Sequence, residues 1–369
     1  MREVNKNAFL VIGFITMCFN SLYQYTWNIL SPMIMIGLNV TLTKVELAFT
    51  IFVVISTFSQ IVGGYIADTR GPKIIGIVAS ILSSIGFLLS SFSMNIYMFY
   101  IFWSVGSIGE GILYGIASNL AVKWFRDKSG FATGLVTLGF GLGGSIANPI
   151  ISLSTNFREP MLLIGLVEII VLPILLSLIK YPSSSSWGLS PKTLIISKKW
   201  WILYFSYVMI NVPIITLASS LSEIGEGLPR DELILTISLF PLFSGLGRPL
   251  LGYVSDKIGR SKSAIIAETL IILGGFMLLG NLISFSIFFI GFFGGSILPI
   301  YFSLVGEKFG IKYSTSNNAL LYTAKAIVGV LGSLIFSYLF EISKTTSLLY
   351  VETCSIIGIL LFIIFIYIK

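Results

Sequence analysis

The chain has 369 residues, of which 55% are hydrophobic and 11% charged, with a formal net charge of +7. A soluble chain carries about 25% charged residues, so this one has too little polar surface for water and reads as an all-α membrane protein. It has no histidine and two cysteines, Cys18 and Cys354, each inside an apolar run, which excludes His-ligated metal or haem, His-based acid–base catalysis, a Cys metal site and a disulfide framework.

Twelve apolar runs long enough to cross a bilayer as helices are predicted, at 8–36, 45–67, 74–92, 96–122, 131–154, 161–179, 200–221, 233–254, 264–283, 285–306, 318–340 and 348–368. They are numbered here as spans 1–12. The runs are continuous rather than alternating, which argues against a β-barrel. The first is too long for a signal peptide and reads as a retained span. Between spans 6 and 7 lies a polar stretch from Tyr181 to Lys199 containing Pro182 and Ser183–Ser186. It divides the chain into 1–180, a linker at 181–199, and 200–369.

Basic residues set the orientation. With both termini cytoplasmic, the inner segments hold 17 of the 23 Lys and Arg residues, among them Arg70, Lys73, Lys123, Arg126, Lys128, Lys257, Arg260 and Lys262. The outer loops hold four: Lys44, Arg158, Arg230 and Lys344. This bias accounts for the net charge without nucleic acid and places the chain in the cell membrane as a multi-pass protein. Two basic residues remain, Arg248 in span 8 and Lys325 in span 11.

The two halves repeat. Gly64-Tyr65-Ile66-Ala67-Asp68-Thr69-Arg70-Gly71 ends span 2, and Gly252-Tyr253-Val254-Ser255-Asp256-Lys257-Ile258-Gly259-Arg260 ends span 8, with the two Asp residues 188 positions apart. A six-plus-six duplication with pseudo-two-fold symmetry explains this. Gly64 and Gly252 are expected to permit close helix approach. Asp68 and Asp256, with Arg70 and Arg260, are expected to latch one conformation of a moving bundle through charge-assisted contacts. A plain helix-capping turn is the alternative, less natural for a motif present twice.

A cation at mid-membrane costs roughly 2.5–3.5 kcal/mol on insertion scales, so Arg248 and Lys325 should face a cavity or a partner. Arg248 lies eight residues before Asp256 and Lys325 seven after Asn318. At 1.5 Å per residue both sit about 10–12 Å from the cytoplasmic face. Each either pairs with a buried carboxylate, for which Glu110, Glu268 and Glu352 are available, or the two hold an anion. Two cations about 8 Å apart repel by roughly 2 kcal/mol at an effective dielectric of ~20, and an anion between them removes that repulsion. The glycines of span 5 (Gly134, Gly139, Gly141, Gly143, Gly144) and span 10 (Gly291, Gly294, Gly295) read as tight helix contacts.

The duplicated loop resembles the signature of the major facilitator superfamily. The chain is also similar to the oxalate/formate antiporter family within it, relatives of the monocarboxylate transporters. Three stretches carry this: Tyr23-Gln24-Tyr25-Thr26-Trp27; Tyr114-Gly115-Ile116-Ala117-Ser118-Asn119 with Lys123-Trp124-Phe125-Arg126-Asp127-Lys128-Ser129-Gly130; and Gly247-Arg248-Pro249 with Tyr322-Thr323-Ala324-Lys325. The resemblance implies twelve helices in two six-helix bundles around a central cavity opened alternately to each side. It implies that Arg248 and Lys325 hold substrate carboxylates, with Tyr25, Tyr114, Tyr322 and Gln24 as contacts or walls. Packing within the helix bundle is the alternative for each tyrosine. No catalytic residue, metal or cofactor is expected, and the implied carrier is a monomer.

Two departures stand out. Phe293 and Ile297 flank Gly294-Gly295 where oxalate carriers tend to place large aromatics, which leaves room for a less polar carboxylate. Glu110 stands where the family usually has an apolar residue. It lies four residues before Tyr114, on the same helix face, as either a proton carrier or a polar contact. The expected function is therefore exchange of small organic carboxylates, with proton-coupled monocarboxylate symport as the alternative. A membrane enzyme is disfavoured by the missing histidine and a channel by the duplicated loop.

Overall fold

In the computed structural model, residues 6–125, 129–181, 190–309 and 314–368 are described. The side chains of Asp68, Thr69, Val122, Pro191, 129–131 and 314–316 lie outside the description. Asp68's carboxylate, the Arg126-Asp127-Lys128 loop, Lys312 and residues 182–189 of the predicted linker therefore lie outside the described residues. Every described span is helical, as it must be where no water is present to satisfy backbone N–H and C=O groups. Twelve helices are long and apolar enough to cross a membrane, so this is a multi-pass membrane protein. They are Lys6–Tyr25, Leu42–Ala67, Pro72–Ser91, Ile96–Ala121, Ala132–Ile151, Arg158–Ser177, Lys198–Ile224, Arg230–Ile258, Arg260–Leu279, Ile283–Phe309, Asn317–Ile342 and Lys344–Tyr367.

The chain forms two compact units, Met1–Ser183 and Ser184–Lys369, with spans 1–6 in the first and 7–12 in the second. In the first unit, span 4 packs on spans 2 and 3, span 3 on span 6, and span 1 on span 5. In the second, span 7 packs on span 12, span 8 on span 10, and span 9 on spans 10 and 12. Glycines make the closest of these contacts. A Cβ on Gly143 of span 5 would stand 2.1 Å from the Cys18 carbonyl oxygen, and one on Gly295 of span 10 would stand 2.2 Å from that of Ser244. The glycine-rich faces are thus packing seams.

The internal repeat is visible in the backbone. Leu42–Arg70 and Arg230–Ile258 are equivalent helices 188 positions apart, and each meets the next span through a single residue. Those junctions are Gly71 (φ 87, ψ 154) and Gly259 (φ 94, ψ 146), a region essentially restricted to glycine. No atom lies within 4 Å of a Cβ built on either. Gly71→Ala and Gly259→Ala are therefore expected to cost about 1–3 kcal/mol each from backbone strain alone, read as a lower melting temperature in detergent.

Gly64 and Gly252 correct an expectation. A Cβ on either would meet nothing within 4 Å, so neither permits a close helix approach in this conformation. In span 2 that role falls one residue earlier, where a Cβ on Gly63 would stand 2.5 Å from Ile112. Gly64→Ala and Gly252→Ala serve as near-neutral stability controls for the two junction glycines.

Span 1, expected as one run over 8–36, is also corrected: it breaks between Lys6–Tyr25 and Trp27–Leu38. Span 11 is likewise interrupted at Thr323. Both breaks follow a tyrosine and fall on a threonine whose hydroxyl turns back to a carbonyl of the preceding turn, Thr26 to Leu22 and Thr323 to Leu320. Such back-bonding competes with the helix ladder and bends it. In span 7 the non-helical residue is Ser220.

Arg158 and Lys344, both assigned to outer loops, have partners at helix ends. Arg158 donates to the carbonyls of Ser91 and Ser93, each at 2.8 Å, and Lys344 to that of Ile224 at 2.6 Å. Cations at a helix C-terminus satisfy its orphan carbonyls, a local reason for these residues to stand apart from the general bias.

Candidate functional site

The second unit carries the two exceptional cations. Arg248 is 8% exposed in span 8. Its neighbour Gly247 fixes the register: a Cβ there would stand 1.9 Å from the carbonyl oxygen of Phe292 in span 10. Span 10 forms one π-helical turn at Phe289–Phe293 beside this contact, a distortion common at functional sites. Gly247 thus lets two backbones touch next to the Arg248 side chain.

Lys325 lies just past the break in span 11. Its Nζ donates to the Tyr322 hydroxyl at 3.2 Å and stands 5.4 Å from the centre of that ring. Tyr322 is 7% exposed and packs edge-on against Phe302 of span 10. The intervening Thr323, whose hydroxyl hydrogen goes to Leu320, accepts a hydrogen bond from the Tyr204 hydroxyl of span 7 at 3.0 Å. The break, the tyrosine and the lysine are held as one local structure by spans 7, 10 and 11. Among the described residues Glu268 and Glu352, two of the carboxylates available to the cations, have other neighbours: Glu268 meets the Tyr301 hydroxyl and Glu352 lies against Gly275.

In the first unit, Tyr25 and Tyr114 are brought together by a residue that sequence reasoning missed. Each ring stands 5.4 Å from that of Phe140 in span 5, edge to face, and all three are buried. With 29 phenylalanines in the chain, composition could not single out Phe140. Asn148 of span 5 donates to the Tyr25 carbonyl at 3.0 Å, holding the backbone beside the break in span 1. Gln24 is buried, and its amide oxygen has no donor among the described residues.

Glu110 is buried one turn before Tyr114. The amide of Asn20 donates to its backbone carbonyl at 2.9 Å and to its carboxylate at 3.4 Å. Asn20 was also missed. Its place four residues before Gln24, on the same face of span 1, was the available signal. Tyr23, in the same motif as Tyr25, belongs to the core: its hydroxyl donates to the Ser83 carbonyl and its ring packs against Phe52, Phe87 and Trp103.

In the loop motif, Arg260 pairs with Asp256 and also reaches Ser255 and the Gly252 carbonyl. This ties the end of span 8 to the start of span 9 across Gly259. Arg70 is exposed. Phe293 packs among Phe288, Phe289 and Phe292, and Ile297 is fully buried. Among the described residues no group of three or more Cys, Asp or Glu side chains is placed to hold a metal ion.

The chain is similar to several curated proteins along most of its length. It is 46% identical over 334 residues to an uncharacterized 38 kDa protein in a 23S RNA operon of Thermoproteus tenax, covering 90% of this chain and 88% of that one. It is 29% identical over 352 residues to the oxalate:formate antiporter of Oxalobacter formigenes, covering 89% of this chain and 83% of that one. A shorter match, 34% identical over 106 residues, is to a probable nitrate transporter of Staphylococcus epidermidis and covers 29% of this chain and 27% of that one. The Major Facilitator Superfamily pattern matches residues 9–333 and 200–369. With twelve membrane helices and a duplicated loop, the chain belongs to the Major Facilitator Superfamily and is a transporter rather than an enzyme.

Proposed function

We propose that this transporter is a secondary carrier of small organic carboxylate anions that works by alternating access and exchanges one anion for another. The observation that carries the reading is the pair of cations inside apolar spans of one unit, Arg248 and the Tyr322-supported Lys325. Arg offers a planar bidentate fork to a carboxylate, and Lys a movable point charge. The likeness to a protein named an oxalate:formate antiporter, over 89% of the chain, supports the same class. Phe293 and Ile297, flanking Gly294-Gly295 where the resemblance leads to an expectation of large aromatics, favour a less polar anion than oxalate.

In the first unit we assign Tyr25, Tyr114 and Gln24 to substrate selection. We assign the charged residues of the two loop motifs, Asp68, Arg70, Asp256 and Arg260, to the conformational latch. We place the carrier in the cell membrane with both termini cytoplasmic, following the distribution of basic residues, and take it to act as a monomer. Thermal stabilisation of the purified protein by formate, acetate, lactate, oxalate and malonate tests the reading. At least one of these is expected to raise the melting temperature of the wild type and not that of Arg248→Ala. Stabilisation by none contradicts the anion site.

Glu110 favours a second reading, proton-coupled uptake of a lactate-like monocarboxylate, because it is a buried carboxylate held by Asn20 one turn from Tyr114. Under that reading Glu110→Gln abolishes uptake driven by a pH gradient but spares counterflow exchange. Unchanged pH-driven uptake eliminates it.

A further inference from the structure

Three short contacts link spans 9, 10, 7 and 12 within the second unit. The Tyr301 hydroxyl lies 2.6 Å from Glu268 Oε1 and 2.8 Å from Ser206 Oγ, and Ser206 Oγ lies 2.9 Å from the Gly358 carbonyl oxygen. Glu268, Tyr301 and Ser206 are completely buried. Each contact at such a distance holds one hydrogen. The tyrosine and serine hydroxyls supply one each, and the carbonyl supplies none.

Three bonds therefore share two hydrogens if Glu268 is ionised. Tyr301 then donates to the carboxylate and Ser206 serves either Tyr301 or Gly358. One pair of buried oxygens is left with opposed lone pairs. A proton on Glu268 completes a chain running one way: Glu268 to Tyr301, Tyr301 to Ser206, Ser206 to the Gly358 carbonyl. Aligned chains of this kind strengthen one another in a low-dielectric interior.

The first unit supplies the contrast. There Tyr23 donates to the Ser83 carbonyl at 2.6 Å and Ser83 Oγ donates to Glu168 Oε1 at 2.6 Å. Two contacts share two hydroxyl hydrogens, so both bonds form without a proton on the carboxylate, whose second oxygen has no partner among the described residues.

We propose that Glu268 is a proton-binding site, and that its bound proton heads a hydrogen-bond chain tying spans 9, 10, 7 and 12 of the second unit together. The site is distinct from Glu110 and from the two cations, and does not depend on the identity of the substrate. The titratable groups around it are Tyr301 on span 10, Tyr207 on span 7, whose ring stands 5.3 Å from that of Tyr301, and Glu352 on span 12. Glu352 lies against Gly275, two turns along span 9 from Glu268. Span 8 carries Arg248. The stabilisation is present while the proton is bound and is lost as rising pH removes it.

Infrared difference spectroscopy of the reconstituted protein near neutral pH, wild type against Glu268→Gln, tests this. The expected result is loss of a protonated-acid C=O stretch with the carboxylate bands unchanged. The glutamine amide can also donate to Tyr301, so this variant is expected to keep its melting temperature on alkalinisation while the wild type falls. Loss of a carboxylate band instead, or the same pH dependence in both proteins, overturns the proposal. Should Glu268→Gln fail to fold, Tyr301→Phe serves. Removing the middle hydroxyl is expected to shift the acid C=O stretch to higher frequency, and an unshifted band contradicts the chain.

Discussion

Arg248→Ala is expected to weaken carboxylate binding by about 100-fold or more and to abolish exchange in proteoliposomes. A hydrogen bond to a charged group contributes roughly 1.5–3 kcal/mol, and a guanidinium can make two to one carboxylate. The loss is thus about 3 kcal/mol or more, which is about 100-fold in affinity. Arg248→Lys keeps the charge without the fork and is expected to fall between the two. Titration of purified protein by ligand-induced thermal shift reads all three. Equal binding by wild type and Arg248→Ala removes Arg248 from the substrate site.

The second large effect is structural, one residue away. Gly247→Ala places a Cβ 1.9 Å from the Phe292 carbonyl oxygen and 2.8 Å from its carbon. The obstacle is backbone, so spans 8 and 10 must part. Overpacking costs typically about 1–3 kcal/mol, occasionally more, and this contact belongs at the upper end. The variant is expected to melt well below the wild type and, where it folds, to bind carboxylate poorly because Arg248 moves with its helix. Gly252→Ala, five residues on and with nothing within 4 Å, is the matched control. Equal melting temperatures for the two would show that the seam between spans 8 and 10 yields.

The spans, the duplication and the two misplaced cations were legible because each rests on a property written residue by residue. Apolar length marks the helices, charge position the exceptions, and a repeated loop the two halves. Gly71 and Gly259 share nearly one conformation because the same single-residue junction serves both copies. The rest depends on which helix faces which. Gly63 and Gly64 are indistinguishable in sequence, yet one contacts Ile112 and the other open space. Phe140 gained its place between Tyr25 and Tyr114 only when span 5 was packed beside span 1.

The buried carboxylates teach the same lesson. Glu168 and Glu268 look alike in the sequence, both polar interruptions of apolar spans. Their partners separate them: the first accepts from a serine whose hydrogen is uncontested, and the second meets a tyrosine whose hydrogen is contested. Such differences are set by neighbours more than 30 positions away. The breaks at Thr26 and Thr323 were equally hidden, since threonine is tolerated in most helices and others here, Thr16 and Thr57 among them, turn back onto the ladder without a break.

Counterflow tests the central claim most directly. Uptake of a labelled carboxylate that stabilises the protein is compared in liposomes preloaded with unlabelled carboxylate and in liposomes free of anion substrate. The account predicts rapid uptake into preloaded vesicles, near-background uptake into empty ones, and neither with Arg248→Ala. Equally rapid uptake into empty vesicles without a pH gradient would contradict exchange across a pair of cations that requires an anion to move.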